Sequence, residues 1–186
     1  MLYLVGGAAR SGKSTIARQF MLETGTPYFC LDYLMMGFAN GLPGSGVDPE
    51  DDELHIGALL WPVVQAMAIA LLENEEDYLF EGVQLCPVHV GKLVDAFPGQ
   101  VRACFVGFAS VDVRQKAAEL RQYGGGLDDW LRDYTEERFI EEVERLKDLS
   151  ARIEAECESC GLRYVEISDD LHETVGLVVD CLLALT

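Results

Sequence analysis

The sequence predicts an α/β protein, a five-stranded parallel sheet with helices on both faces, and three observations carry that expectation. Five short apolar runs alternate with longer helix-patterned stretches, the pattern of a sheet covered on both sides. The first run ends in glycines and leads straight into a helical pattern. The length of 186 residues, 49% of them apolar, suits a single domain, 1–186, with a sizeable core.

Leu2–Val5 reads as a buried strand entering a turn at Gly6-Gly7. Ser14–Glu23 fits a helix closed near Gly25 and Pro27, and Tyr28–Leu31 a second strand with Asp32 at its end. A helix is expected from 33 to 38, and a loop from Asn40 to Gly46, which holds three glycines and a proline. The acidic run Asp48–Glu53 starts the long apolar stretch Leu54–Leu72. Pro62 is expected to kink that helix. Tyr78–Val83 is a third strand, Pro87–Phe97 a short helix, Val101–Phe108 a fourth strand and Val111–Tyr123 a helix stopped by Gly124-Gly125-Gly126. Asp133–Cys160 is a charged amphipathic helix ending at Gly161, Arg163–Ile167 a fifth strand and Asp170–Leu185 the last helix.

Composition narrows the partners. Fourteen basic against 32 acidic residues leave a net charge of −18, a field that repels nucleic acid and anionic membrane surfaces. No stretch reads as a run of about 18 uninterrupted apolar residues, so no membrane span is expected. The N-terminus lacks the basic and apolar regions of a signal peptide. A cytoplasmic protein, monomer or homodimer, with six reduced cysteines is expected. Cys157-Glu158-Ser159-Cys160 is a lone C-x-x-C without a second ligand pair, and reads as structural.

The chemistry is concentrated in Gly7-Ala8-Ala9-Arg10-Ser11-Gly12-Lys13-Ser14, which matches G-x-x-x-x-G-K-[ST] at every fixed position. Strand before and helix after supply the context the motif needs. The glycines let the backbone turn successive N–H groups toward one point. The helix N-terminus adds its partial positive charge. Residues 7–14 with Thr15 form the expected ATP cradle: Lys13 reaches the β- and γ-phosphates and Ser14 binds Mg2+. Arg10, inside the loop, faces either phosphate or solvent.

With this loop at the start and strands alternating with helices after it, the chain resembles the P-loop small-molecule kinases, such as adenylate kinase, shikimate kinase, gluconate kinase and chloramphenicol phosphotransferase. The segment Glu81-Gly82-Val83-Gln84-Leu85-Cys86-Pro87 is similar to the post-strand segment of 2-phosphoglycerate kinases. The resemblance implies a three-layer P-loop NTPase fold with sheet order 2-3-1-4-5, ATP as donor and a closing helical lid. It places the acceptor-binding segment at about 33–76 and the lid at about 112–140. No N/T-K-x-D guanine signature occurs, which argues against a GTPase.

Three further positions are singled out. Asp32, at a strand's carboxyl end, lies where ligands sit in open α/β sheets. It is expected to accept the acceptor hydroxyl's proton, or else to cap a helix. Glu81 ends the third strand and either holds Mg2+ through water, contacts the acceptor or caps the following turn. Arg114, Arg121, Arg132 and Arg138 flank the glycine run 124–126, a candidate hinge. Arg121 is the chosen lid arginine because it closes the helix after the fourth strand, where the resembling kinases begin their lid. Surface pairing is the alternative for all four, and the expectation for Arg145, Lys147 and Arg152.

No lysine or arginine occurs from residue 19 to residue 91. In shikimate kinase and the nucleoside-monophosphate kinases this segment supplies arginines to an anionic acceptor. Here it carries Asp48, Glu50, Asp51, Asp52 and Glu53 beside Tyr33, Met35, Met36, Phe38, His55 and Trp61. An anion held there would lack a counter-charge, so the expected acceptor is neutral or cationic, unless Lys92 or Arg102 reaches in. His55 reads as structural, and Trp61 and the methionines as core. The leading reading is an ATP-dependent small-molecule phosphotransferase. The alternatives are an ATP-binding regulator or sensor, and a toxin kinase acting on a cell-wall sugar precursor.

Overall fold

A computed structural model describes residues 1–123, 133–167 and 171–184. The strands are β1 Leu2–Gly7, β2 Tyr28–Cys30, β3 Tyr78–Glu81, β4 Val101–Gly107 and β5 Arg163–Glu166. The helices are α1 Lys13–Thr24, α2 Leu31–Gly41, α3 Glu53–Glu73, α4 Pro87–Ala96, α5 Val113–Tyr123, α6 Glu136–Cys160 and α7 Leu171–Leu183. The five strands form one sheet in the order β2-β3-β1-β4-β5, and every pairing is parallel. The expected order and class are both present.

The period-2 alternation of the strands sorts the core into two layers. Leu2, Leu4, Phe80, Val101 and Phe105 face one side, where Ile56, Leu60, Trp61 and Val64 of α3, Val90 of α4 and Leu149 and Ile153 of α6 cover them. Val5, Leu79, Cys104 and Val106 face the other, against Ile16, Ala17 and Phe20 of α1 and Val175, Val178 and Leu182 of α7. β1, central and paired on both sides, has both faces buried, which is why it reads as an unbroken apolar run.

Several boundaries differ from expectation, each for a local reason. β2 is an edge strand whose pairing with β3 ends at Cys30↔Glu81. Leu31 and Asp32 therefore begin α2 instead of ending β2. The acid in that first turn suits the helix dipole. Asn40 and Gly41 extend α2 instead of opening the loop. β3 stops at Glu81 because its partner β1 turns away into the glycine loop after Gly82 N–H reaches the Val5 carbonyl at 3.2 Å. α6 starts at Glu136, where Thr135 Oγ1 accepts from the Arg138 N–H at 3.3 Å.

α3 runs unbroken through Pro62. Pro62 and Ala58, whose carbonyl the proline cannot serve, both lie on the exposed face, where the unpaired carbonyl is open to solvent instead of buried. This helix corrects one expectation. It is long and apolar enough to cross a membrane, with a mean hydropathy of 1.8 over its best window. A third of that window is buried, by residues that pack on the sheet. The candidate hinge 124–126, Arg132 and both end residues of the expected last helix, Asp170 and Leu185, lie outside the described residues.

Candidate active site

At the carboxyl end of the sheet, a cavity of about 410 Å3 is lined by Ala9, Arg10, Gly12, Lys13, Ser14, Thr15, Asp32, Glu81 and Val83. The chain converges here because β1, β2 and β3 are adjacent and point the same way. The loop after β1, the first turn of α2 and the last residue of β3 must then meet. Two glycines shape the loop. Gly7 has φ +133, and a Cβ on it would run into the backbone carbonyl of Val106 on β4. Gly12, at φ +79, caps α1 in a region that favours glycine. Arg10 also has positive φ, +62.

Lys13 is 7% exposed, and its ammonium donates to the Ala8 carbonyl at 2.7 Å. Burial lowers its pKa below the ordinary value, although the negative charges of Glu81 and Asp32 oppose the shift. Ser14 Oγ donates to Glu81 Oε1 at 2.9 Å, joining the helix start to the end of β3. Glu81 is itself 2% exposed. Ser11 Oγ is buried and has no hydrogen-bond partner among the described residues. Hard oxygen donors at Ser14 and Glu81 suit Mg2+, which keeps several waters and takes few protein ligands.

Asp32 lines the cavity from the α2 side, and Gln84 Nε2 donates to its Oδ1 at 2.7 Å. Cys30, the last residue of β2, stands level with Glu81. Burial first, then the Glu81 charge, pushes its thiol up to about 12. Sequence reading singled out neither Gln84 nor Cys30. A lone amide inside the apolar Val83–Pro87 stretch was the available signal for Gln84. Nothing in the sequence signalled Cys30, since it depends on strand register.

Arg121 stands apart from the cavity lining. Its guanidinium pairs with Glu136 at 3.2 Å, donates to the Tyr134 carbonyl at 3.2 Å and lies 4.3 Å from the centre of the Phe139 ring. These contacts hold α5 against α6. Arg138 lies over the Tyr134 ring. Arg145 makes the surface pairing expected of it, and one of its partners lies on the acceptor-side segment. It grips both oxygens of Glu53 at 2.9 and 2.7 Å and also binds Glu142, which raises its pKa. Lys147 donates to the Val111 carbonyl at 2.8 Å, and Arg152 lies 3.6 Å from Asp52. Arg102 is at the opposite end of the sheet, donating to the Leu182 carbonyl. Trp61 is buried and stacked on His89, whereas Tyr33 and Met36 are exposed.

No protein-family model and no curated protein matches the chain. Its fold is that of the P-loop small-molecule kinases. A shikimate kinase from Bacteroides thetaiotaomicron superposes with a TM-score of 0.62 at 12% identity, covering 99% of both chains. A shikimate kinase from Acinetobacter baumannii, in complex with shikimate, has a TM-score of 0.59 at 10% identity over 98% of this chain and 92% of the other. A gluconokinase from Sinorhizobium meliloti 1021 has a TM-score of 0.54 at 17% identity, over 97% and 90%.

Proposed function

We propose that this protein is an ATP-dependent phosphotransferase that moves the γ-phosphate to a hydroxyl of a small neutral or cationic molecule. The observation that carries the reading is the 410 Å3 cavity in which the glycine loop, Lys13 and Ser14 face two carboxylates, Asp32 and Glu81. Residues 7–15 would hold the triphosphate. A polyphosphate would supply the buried Lys13 ammonium with the counter-charge that its surroundings only partly provide, and would offer the Ser11 hydroxyl an acceptor. Mg2+, held by Ser14 with Glu81 acting through water, would neutralise charge on the β- and γ-oxygens. Asp32 takes the proton of the acceptor hydroxyl as that oxygen attacks phosphorus and ADP leaves in line. Arg121 meets the transferring group only when its contacts with Glu136 and Phe139 open, which makes it a closing-lid residue.

The acceptor class follows from charge. The acceptor-side segment carries no basic residue from 19 to 91, and Arg145, which reaches it from α6, is bound to two carboxylates. Arg102 is far from the cavity. An anionic acceptor would meet Asp32 and Glu81, with Arg10 and Lys13, the cations of the same lining, taken up by the nucleotide.

The test is acceptor-dependent ADP formation, with pooled sugars, nucleosides and aminoglycosides in one arm and shikimate, gluconate, AMP and 2-phosphoglycerate in the other. Turnover with a member of the first pool, lost in Asp32→Ala, is the expected result. Efficient turnover with the anionic pool overturns the acceptor class. Trace turnover that ignores both acceptor and Asp32→Ala identifies a nucleotide-binding regulator.

A further inference from the structure

Behind the cavity, Gln84 is 1% exposed and its two amide atoms are treated very differently. Nε2 donates to Asp32 Oδ1 at 2.7 Å and lies 3.5 Å from the Met35 sulfur. Oε1 is buried and has no hydrogen-bond partner among the described residues. A buried amide oxygen left without a donor is costly, and such exceptions in a folded core call for a reason. An apolar residue of similar size would avoid the cost. The room for the amide is also specific. A Cβ at Gly82 would run into Gln84 Oε1, and would come within 2.8 Å of the Leu31 Cβ. The residue after Glu81 is therefore one that lets the amide lie against the backbone.

Resting on the reading of Asp32 as the base, we propose that Gln84 is a positioning residue for the phosphoryl transfer, fixing the Asp32 carboxylate through one oxygen so that the other faces the acceptor hydroxyl. Asp32 sits in the first turn of a helix that flanks an edge strand, and its side chain has two soft torsions. Met35, one turn further along α2, offers only a thioether beside it. The Gln84 N–H ties Asp32 across to the segment after β3, which also carries Glu81. Base and metal-side carboxylate are thereby referenced to the same strand end. The amide carries no proton to or from the substrate, so its effect must pass entirely through Asp32.

That dependence gives the test. Magnesium-ATP turnover is measured for wild type, Gln84→Met, Asp32→Ala and the double variant, with water as the acceptor and again with the acceptor pools. The expected result is a roughly tenfold fall in kcat for Gln84→Met, with KM for ATP within about twofold of wild type. In the Asp32→Ala background the same change has no further effect. Gln84→Glu keeps the volume but sets a second carboxyl against Asp32, perturbing the base directly, and it is expected to lose turnover as well. Gly82→Ala leaves the amide present but displaced, and gives an independent variant should Gln84→Met fold poorly. Losses that multiply in the double variant overturn the inference. So does wild-type kcat in Gln84→Met while Asp32→Ala is inactive, and in either case the kinase reading stands. Asp32→Ala with undiminished acceptor-dependent turnover overturns the base assignment and the inference together.

Discussion

Replacing Lys13 with methionine separates what this side chain does for the nucleotide from what it costs the fold. Lys13 is almost fully buried, and its pKa is lowered because burial outweighs the attraction of Glu81 and Asp32. A lowered pKa means that the positive charge is less stable in the folded protein than in water. Methionine has a similar length and no charge to desolvate, and it loses the hydrogen bond to the Ala8 carbonyl. Burial of the charge thus costs more than its attraction to Glu81 and Asp32 returns, and methionine removes that net cost. A tenfold change in proton affinity is worth about 1.4 kcal/mol, which already exceeds the roughly 1 kcal/mol of the lost bond. For a chain of this size each kcal/mol of net gain raises Tm by about 2–4 °C without nucleotide.

The sign with pH follows. With the folded pKa below 10.5, the unfolded chain binds the proton more tightly. The wild type therefore gains stability as pH rises from the folded value toward 10.5, and the advantage of Lys13→Met narrows over that window. Adding magnesium-ATP reverses the ranking. Wild type at a hundredfold excess over Kd gains about 2.7 kcal/mol, whereas Lys13→Met gains almost nothing. Thermal melts with and without magnesium-ATP at pH 7 and pH 9.5 measure all four quantities. A Lys13→Met protein that melts below wild type without nucleotide, or gains equally from ATP, refutes the reasoning.

Asp32→Ala is expected to reduce acceptor-dependent turnover by about 10^2–10^4, the usual contribution of a general base, with ATP binding retained in a fluorescent-nucleotide titration. Arg145→Ala removes the bridge between α6 and the start of α3; because its side chain is about half exposed, the cost is about 1 kcal/mol, read as a fall in Tm of about 2–4 °C. Arg121→Ala is expected to lower kcat by about 10^3 if the arginine closes on the phosphoryl group, whereas loss of the Phe139 stacking alone leaves kcat in place and lowers only the melting temperature. The Cys30 thiol, pushed up to about 12 from 9.0, is expected to alkylate about a thousandfold more slowly at pH 8 than an unperturbed thiol, since the thiolate is the nucleophile; mass spectrometry of iodoacetamide-treated protein measures this, and labelling as fast as a free thiol contradicts it.

The glycine loop and the sheet class were legible in the sequence, because both are local. A glycine loop between strand and helix is a run of neighbours, and the alternation that sorts Leu4 from Val5 onto opposite faces is a period of two. Asp32 is also legible, through its place after an apolar run, but the helix that holds it starts at Leu31, two residues before the expected 33. That boundary depends on where β2 stops pairing with β3, which no local pattern records.

What the sequence by itself determined is the glycine loop at residues 7–14, the parallel α/β class and the absence of basic residues from 19 to 91. Each is a matter of residue identity at fixed spacing. Only the tertiary structure decided that Gln84 reaches Asp32 across 52 positions, that Arg145 is bound to Glu53 across 92, and that Arg121 lies on Phe139 instead of at the cavity. A hydrogen bond or ion pair forms over about 3 Å, and folding alone determines which distant side chains come that close.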